Sequence, residues 1–354
     1  MSAAGVYLHI PFCKSRCSYC DFATDVYRSS DVVERYVSAL VKEIRAFDVN
    51  GALSKVRATD TVYFGGGTPS LLEPAQVEQI LQTVRNKFGI ADDAEITMEM
   101  NPGTVTTERL AEYRSLGVNR ASFGVQTFND RHLKLLARGH DANDARTTFE
   151  LLRNARFTNV SFDLIAGLPG QTIDDWKRNL DEAVSTEPEH LSLYLLEIHE
   201  GTPLADQIFN GRRRVPDEEL AAEMYELMID RLVDAGYEQY EISNFAKSGF
   251  ESRHNTKYWR LDPVFGFGVS AHSFDGQQRY SNARDTADYV RRIEESGSAE
   301  VFRERTDLES ESAFLGLRLS PGIDLESYRR HFGIDLVDKY RSCLLYTSPS
   351  PRDS

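Results

Sequence analysis

Three cysteines, Cys13, Cys17 and Cys20, lie close together, directly after an apolar segment that is predicted to form a strand. The spacing C-x3-C-x2-C lets one short loop surround a single metal group, and soft thiolates select iron–sulfur clusters or zinc. Three thiolates leave one iron of a four-iron cluster without a protein ligand, and an open metal position is where chemistry takes place. The alternative is a zinc site completed by His9, although structural zinc usually has its ligands in paired knuckles. The motif therefore predicts a metal-binding loop, with an iron–sulfur cluster favoured over zinc.

Strand patterns and helical patterns alternate over the first two-thirds of the chain. The predicted strands are residues 5–10, 61–64, 95–100, 120–125, 160–165 and 190–197. Segments between them carry apolar residues at helical spacing. This alternation implies a parallel sheet, and the number of repeats predicts an α/β fold, a partial (β/α)6 barrel of the TIM type, with a smaller C-terminal α+β domain. In such sheets, functional residues collect at the carboxyl ends of the strands.

The pattern changes after residue 235, and this change defines the expected domains. We expect residues 1–235 to form the barrel and residues 236–300 to form a connecting region. Residues 301–342 are predicted to begin a small C-terminal domain that is truncated. Residues 343–354 are rich in Pro and Ser, and their composition differs from that of the rest of the chain, so we interpret them as a non-native tail.

Charge and composition restrict the partners and the compartment. The formal net charge is −14, which disfavours binding to a nucleic-acid backbone because phosphate recognition needs a basic surface. No apolar stretch is long enough to span a bilayer. Only four cysteines occur, and three of them are clustered, which is unlike a secreted disulfide scaffold. We therefore expect a reducing, cytoplasmic location.

The cysteine loop resembles the signature of radical S-adenosylmethionine (SAM) proteins. In that family the three cysteines hold a [4Fe–4S] cluster, and its open iron chelates the amino and carboxylate groups of SAM. Reduction of the cluster then cleaves SAM to a 5′-deoxyadenosyl radical. By this resemblance, Tyr19 packs against the adenine and the glycine-rich residues 65–69 contact the SAM amino group.

A narrower resemblance extends over nearly the whole chain, up to about residue 340. The sequences Y-L-H-I-P-F-C at 7–13, E-M-N-P at 99–102, G-V-Q-T at 124–127, R-G-H at 138–140 and D-L-I-A-G-L-P at 163–169 look like those of oxygen-independent coproporphyrinogen III oxidases and their relatives. The resemblance implies a SAM pocket lined by Tyr7, Gly66, Gly67, Thr68, Glu99, Gln126, Arg138 and Asp163. Its carboxylates would accept hydrogen bonds from SAM, while its amide and guanidinium groups would donate them. Without the resemblance, Arg138 would be read as a surface charge at a helix end.

Two features separate the oxidases from a sister group, the HemW-type heme chaperones. The oxidases carry a further cysteine two residues after the third, where this chain has Phe22, and they have an N-terminal extension for which this chain has no room before Cys13. The sequence H-N-T-K-Y-W at 254–259 resembles the H-N-x-x-Y-W motif of the chaperones, which is proposed to bind heme. It contributes His254, Tyr258 and Trp259 as candidate heme contacts.

Histidine is a common axial ligand of heme iron, and aromatic rings can pack on a porphyrin. A histidine in this position could equally be a hydrogen-bonded residue beside core aromatics. His272, in a glycine-rich segment that also matches the family, is a second candidate near the heme.

The sequence therefore predicts a heme chaperone that binds heme, transfers it to an unknown acceptor protein, and carries a SAM-binding [4Fe–4S] cluster. The first alternative is oxidative decarboxylation of coproporphyrinogen III to protoporphyrinogen IX, and the second is a radical SAM enzyme for another substrate. Whether the chain is an enzyme stays open; as one, it would be an oxidoreductase like coproporphyrinogen dehydrogenase. The expected partners are heme or porphyrin and the acceptor protein, and any membrane association is expected to be peripheral, through that acceptor.

Overall fold

The central element of the fold is a twelve-stranded sheet, seen in a computed structural model that describes residues 3–48 and 58–342. The strands in chain order are β1 (Ala4–Ile10), β2 (Phe12–Cys13), β3 (Asp25–Val26), β4 (Thr59–Gly66), β5 (Ile90–Met100), β6 (Arg120–Gln126), β7 (Val160–Ala166), β8 (His190–Leu195), β9 (Glu238–Glu241), β10 (Asn244–Ala246), β11 (Val264–Phe267), β12 (His272–Phe274), β13 (Gln278–Asn282) and β14 (Glu300–Arg305). The short strands β2 and β3 pair separately, beside the cysteine loop.

Helices connect the central strands and continue after them. They are α1 (Ser30–Ala46), α2 (Pro74–Phe88), α3 (Thr107–Ser115), α4 (Asp130–Leu135), α5 (Ala142–Asn154), α6 (Ile173–Ser185), α7 (Pro203–Phe209), α8 (Glu218–Asp234), α9 (Arg253–Arg260), α10 (Thr286–Ser296), α11 (Leu308–Gly316), α12 (Leu325–Phe332) and α13 (Leu336–Lys339). None of the helices in these described parts of the chain is both long and apolar enough to cross a bilayer.

The predicted α/β fold is confirmed. Strands β1, β4, β5, β6, β7 and β8 lie side by side in chain order and pair in parallel, with helices between them. These are the six strands expected from the sequence. The order of strands is linear, so the sheet forms a partial barrel.

The C-terminal part of the described chain extends both edges of this sheet. Strand β10 pairs antiparallel with β8, and β9 pairs with β10. On the other edge β11 pairs in parallel with β1, and β12, β13 and β14 follow as an antiparallel meander. The sheet therefore crosses the expected boundary at residue 236. The proposed tail at 343–354 lies outside the described residues.

The two faces of the parallel strands differ in polarity. Alternate residues such as Val6, Leu8, Val62 and Phe64 belong to one apolar core that also includes the inner faces of the helices. The intervening residues on the opposite face are largely polar, and many of them bond to one another, as Tyr63 does to Glu99. Strands of parallel sheets are usually apolar on both faces. A polar inner face is therefore suited to a polar ligand.

A buried carboxylate ties the first helix to the C-terminal strands. Glu43 on α1 accepts hydrogen bonds from the Tyr289 hydroxyl at 2.7 Å, the Gly268 amide at 2.8 Å and the Asn282 amide group at 2.6 Å. Burial nevertheless raises the pKa of Glu43 to about 7, because the cost of desolvating the charge exceeds the gain from these donors.

This raised pKa predicts that the contribution of Glu43 to the stability of the fold decreases as the pH rises. The folded protein holds the proton more tightly than the unfolded chain does, so the stabilisation is complete below about pH 4.5 and is lost as the pH passes 7. Relative to Glu43→Gln, the wild type should lose on the order of 2–3 kcal/mol of unfolding free energy between pH 5 and 8. Denaturant unfolding at several pH values measures this difference. Glu34→Gln, at an exposed position of the same helix, should show no such change, and parallel curves for wild type and Glu43→Gln would contradict the prediction.

Candidate functional site

The cysteine loop is held in place by main-chain hydrogen bonds at both ends. The Tyr27 amide donates to the Cys13 carbonyl at 2.8 Å, and the Ser18 amide donates to the Leu136 carbonyl at 2.9 Å. Cys13, Cys17 and Cys20 are free thiols with intermediate exposure. The loop therefore presents three thiols from a backbone fixed against the carboxyl end of the barrel.

A chain of hydrogen bonds connects two of these sulfurs. The Thr68 hydroxyl lies 3.6 Å from Cys13 Sγ, and Asn101 Nδ2 donates to the Thr68 oxygen at 2.6 Å. Arg138 donates to Asn101 Oδ1 at 2.6 Å and to Cys17 Sγ at 3.4 Å. Burial raises the pKa of Cys13 to about 11, so the free thiol is neutral near pH 7, and metal binding would remove its proton. The hydroxyl and guanidinium donors would then stabilise the thiolates.

The positions of the thiols favour a cluster over a single ion. Within residues 3–48 and 58–342, no group of three His, Cys, Asp or Glu side chains converges on a point that could hold one metal ion. A zinc ion needs such convergence, whereas each cysteine of a [4Fe–4S] site binds a different iron. His9, the candidate fourth zinc ligand, already uses Nε2 with the Ala23 carbonyl at 2.9 Å and Nδ1 with the Tyr7 hydroxyl at 3.1 Å. The donor set therefore fits the cluster.

The glycine-rich segment after β4 brings two backbones into close contact. A Cβ on Gly67 would lie 2.7 Å from the Pro11 carbonyl group and 2.8 Å from the Phe12 oxygen, so only glycine allows this approach to the cysteine loop. Gly66 has φ of 110°, and its amide donates to Glu99 Oε2 at 3.0 Å. These two glycines therefore connect the cysteine loop to the Glu99 carboxylate inside the barrel.

Two carboxylates lie inside the barrel. Burial raises the pKa of Glu99 to about 7, although the Tyr63 hydroxyl donates to Oε1 at 2.7 Å. Burial also raises the pKa of Asp163 to about 6, although Ser192 is hydrogen-bonded to it and Arg120 and Arg138 are close. A ligand with a positive charge would favour the ionised forms of both groups, and SAM carries a sulfonium and an ammonium group.

Arg138 is partly buried and donates hydrogen bonds into the interior, so its interpretation from sequence alone as a surface charge at a helix end is wrong. Its Nη2 also donates to the Gly124 carbonyl at 2.6 Å, and Nη1 lies 3.5 Å from the Tyr19 hydroxyl. The Gln126 amide packs over Gly124, where an added Cβ would lie only 2.5 Å from it, and Gln126 itself adopts φ of 67° at a bulge in β6. These residues thus meet at one strand end.

The structure brings most of the residues of the expected SAM pocket together. Contacts described above join Gly66, Gly67, Thr68, Glu99, Gln126, Arg138 and Tyr19 around the cysteine loop. Asp163 lies on the neighbouring strand β7, close enough to Glu99 and Arg138 to affect their pKa values. Tyr7 lies on another side of the interior, beside His9 and with its ring 6.1 Å from that of Tyr63.

The H-N-T-K-Y-W motif forms helix α9, which closes the barrel near the start of the strands. His254 is 1% exposed, with Nδ1 2.8 Å from the Thr61 hydroxyl and Nε2 3.1 Å from the Tyr258 hydroxyl. Both ring nitrogens are therefore engaged, and burial lowers the pKa of His254 to about 3. Trp259 lies apart from His254 and Tyr258. The Arg318 guanidinium lies over the Trp259 ring, with its central carbon 4.3 Å from the ring centre. The motif does not come together as one site.

Three polar residues of the interior were not singled out as site residues from the sequence. Asn101 connects Thr68 to Arg138, and Tyr63 bonds to Glu99. Arg120 is 1% exposed, and its Nε has no hydrogen-bond partner among the described residues. A charged residue at the start of an otherwise buried strand was the available signal for Arg120.

Comparisons with known proteins agree with this geometry. A model of the radical SAM superfamily matches residues 7–183. The heme chaperone HemW of Bacillus subtilis is 36% identical over 346 residues, which cover 96% of this chain and 89% of that protein. HemW of Escherichia coli is 38% identical over 268 residues, covering 75% of this chain and 69% of that protein.

A solved structure extends the comparison to the fold. Coproporphyrinogen III oxidase (HemN) of Escherichia coli, a radical SAM enzyme, superposes with a TM-score of 0.84 at 25% identity, over 99% of this chain and 83% of that chain. Sequence motif, fold and relatives thus agree. The chain belongs to the radical SAM superfamily and, within it, to the family of the HemW-type proteins.

Proposed function

We propose that the protein is a heme chaperone: it binds heme reversibly and passes it to an acceptor protein, and it carries a SAM-binding [4Fe–4S] cluster. The observation that carries the proposal is Phe22. It occupies the position where the oxidases, by the resemblance given above, have a further cysteine, and its side chain is 63% exposed beside the cysteine loop. An exposed aromatic ring suits the face of a porphyrin. The HemW-type relatives, which are named heme chaperones, support the same reading.

We propose further that Cys13, Cys17 and Cys20 hold the cluster, which supplies one-electron chemistry when it is bound. Glu99 and Asp163 would accept hydrogen bonds from the amino and ribose groups of SAM, and Arg138 and Gln126 would donate to it. Tyr19 packs against Leu168 and its neighbours, in a position to contact the adenine. In the chaperone these residues would support or regulate heme binding.

Oxidation of coproporphyrinogen III is the second candidate, favoured by the likeness to HemN across the whole fold. The SAM pocket proposed here would serve either activity, because both rest on the same cysteine loop. The oxidase and the chaperone differ in what they must do with the bound molecule. An enzyme must hold coproporphyrinogen for chemistry, whereas a chaperone must hold heme and release it.

Two measurements on anaerobically reconstituted protein distinguish these functions. Added hemin should bind with a shifted Soret band and should then pass to apomyoglobin, which shows that the heme is held reversibly. Coproporphyrinogen III with SAM and a reductant should yield no protoporphyrinogen IX. Formation of that product over many turnovers, or failure of hemin to bind, would overturn the proposal. The acceptor in the cell and the cytoplasmic location belong to the same proposal.

A further inference from the structure

A cleft opens on the side of the barrel between the end of the cysteine loop and the turn that joins β11 to β12. It has a volume of about 380 Å³, within the range of small-molecule sites. We call it the lateral cleft; its lining residues are Tyr7, His9, Asp21, Phe22, Ala23, Tyr258, Ser270, His272 and Arg284. Asp21, Phe22 and Ala23 directly follow Cys20, so the cleft adjoins the proposed cluster.

We propose that the lateral cleft binds heme, with His272 as the axial ligand of the iron and Arg284 as the partner of a propionate. This inference rests on the proposed function and deepens it. It also replaces His254 as the candidate ligand.

Of the two histidines that line the lateral cleft, His9 and His272, only His272 has free ring nitrogens among the described residues. His9 and His254 use both nitrogens, as shown above, and His190 uses Nδ1 with Ser161 and Nε2 with Tyr240, each at 2.7 Å. To ligate iron, any of these would have to give up a buried hydrogen bond, at a cost of roughly 1–3 kcal/mol. The side chain of His272 is exposed and has no hydrogen bond within the described part of the chain.

His272 is held on a rigid backbone. It begins β12 and pairs with Ser281 of β13. A Cβ on Gly266 would lie 2.3 Å from the His272 carbonyl oxygen, so the two strands are in close contact at this residue. Partial desolvation by the cleft and the nearby Arg279 and Arg284 lower the pKa of His272, which keeps the imidazole neutral near pH 7. Neutral imidazole is the form that binds metal.

The groups around His272 match the other parts of a heme. The exposed Phe22 ring lies at the rim and the Tyr258 ring lines the wall, and both can cover an apolar macrocycle. Arg284 Nη2 donates to the Asp21 carbonyl oxygen at 2.5 Å, which fixes the guanidinium in the cleft, and its other N–H groups are free to pair with a carboxylate. The Asp21 carboxylate would repel a propionate, so we place the propionate on the Arg284 side.

Titration of the reconstituted full chain with hemin tests the role of His272. His272→Ala should weaken hemin binding by at least tenfold and change the Soret and EPR spectra, and added imidazole should restore the wild-type spectrum. Metal-free protoporphyrin IX, which has no iron to ligate, should bind His272→Ala as well as it binds the wild type. Arg284→Gln should instead weaken both porphyrins. His331→Ala, at an exposed histidine that does not line the cleft, is the matched control and should keep the wild-type hemin spectrum. His254→Gln tests the earlier candidate ligand and should also keep that spectrum.

The outcomes separate this inference from the proposed function. If the wild type binds hemin and His272→Ala keeps its spectrum and affinity, the inference is wrong and the chaperone proposal stands. Equal loss of hemin and protoporphyrin in His272→Ala would show a structural role and would also overturn the ligand assignment. If the wild type binds no hemin, the proposed function itself fails. Iron and sulfide content of each variant shows whether the fold and the cysteine loop are intact.

Discussion

Serine in place of Cys17 should leave the anaerobically reconstituted protein with only a small fraction of the wild-type iron and sulfide. The three thiols are the cluster ligands proposed above, and a serine hydroxyl is a hard ligand that is poorly ionised near pH 7. The change also removes the sulfur that accepts from Arg138 at 3.4 Å, so the guanidinium loses one of its fixed partners. Iron and acid-labile sulfide per chain, together with the EPR signal of the reduced protein, measure the effect.

The fourth cysteine provides the matched control. Cys343 lies outside the motif and outside the described residues, and Cys343→Ser should keep the wild-type content of iron and sulfide. Cys17→Ser should also lose most of its affinity for SAM, which the open iron would help to bind. Hemin binding should persist, because the lateral cleft contains no thiol. Full cluster content in Cys17→Ser, or zinc in place of iron in the wild type, would contradict the assignment of the motif.

The parallel core of this fold could be predicted from sequence because its signals are local. Helix α2 runs from Pro74 to Phe88, the range that its apolar spacing and its proline predict. Strand β7 is apolar on one face and ends before a Gly-Leu-Pro-Gly turn. Each element could be found within its own window of residues. The parallel order then follows from the alternation of strands and helices.

The C-terminal strands gave no comparable signal. Strands β10 and β12 have three residues each, which is too short for a period of two to show. Their pairing depends on distant partners, because β11 joins β1 from more than 250 residues away in sequence. The predicted connecting region therefore turned out to form both edges of the sheet.

The candidate site, like the fold, depends partly on short sequence motifs and partly on contacts between residues far apart in the sequence. The cysteine spacing is visible within eight residues, whereas the bond between His254 and Thr61 joins positions 193 residues apart. From the motif alone, His254 could be a heme ligand or a hydrogen-bonded residue, and only the folded chain shows that both nitrogens are engaged. Arg138 is a similar case, since its partly buried position follows from contacts with residues 101, 124 and 17.

Methionine in place of Arg138 should be among the most damaging single changes to this fold and its site. The guanidinium donates to Asn101 and Gly124 at 2.6 Å each, and methionine would leave both acceptors without this donor. Loss of a partly buried charge that makes several hydrogen bonds should cost about 1–3 kcal/mol of unfolding free energy. The hydrogen-bond chain from Cys13 to Cys17 would also break, so SAM affinity should fall by more than tenfold.

Arg138→Lys tests whether the positive charge of Arg138 or the shape of its guanidinium group is what matters. Lysine keeps the positive charge but lacks the planar fork that reaches Asn101, Gly124 and Cys17 together. Its stability and SAM affinity should therefore lie between those of the wild type and Arg138→Met. Denaturant unfolding of the cluster-free protein gives the stability, and equilibrium binding of SAM to reconstituted protein gives the affinity.

Arg131→Met, at an exposed position on α4, is the control for removing one positive charge nearby. It should change the unfolding free energy by no more than about 0.5 kcal/mol, because exposed substitutions rarely do more. Wild-type stability in Arg138→Met would mean that its hydrogen bonds are replaced without cost by other groups or by water. Wild-type SAM affinity in the same variant would remove Arg138 from the proposed pocket. Loss of stability with full SAM affinity would limit Arg138 to holding the cysteine loop against strands β5 and β6.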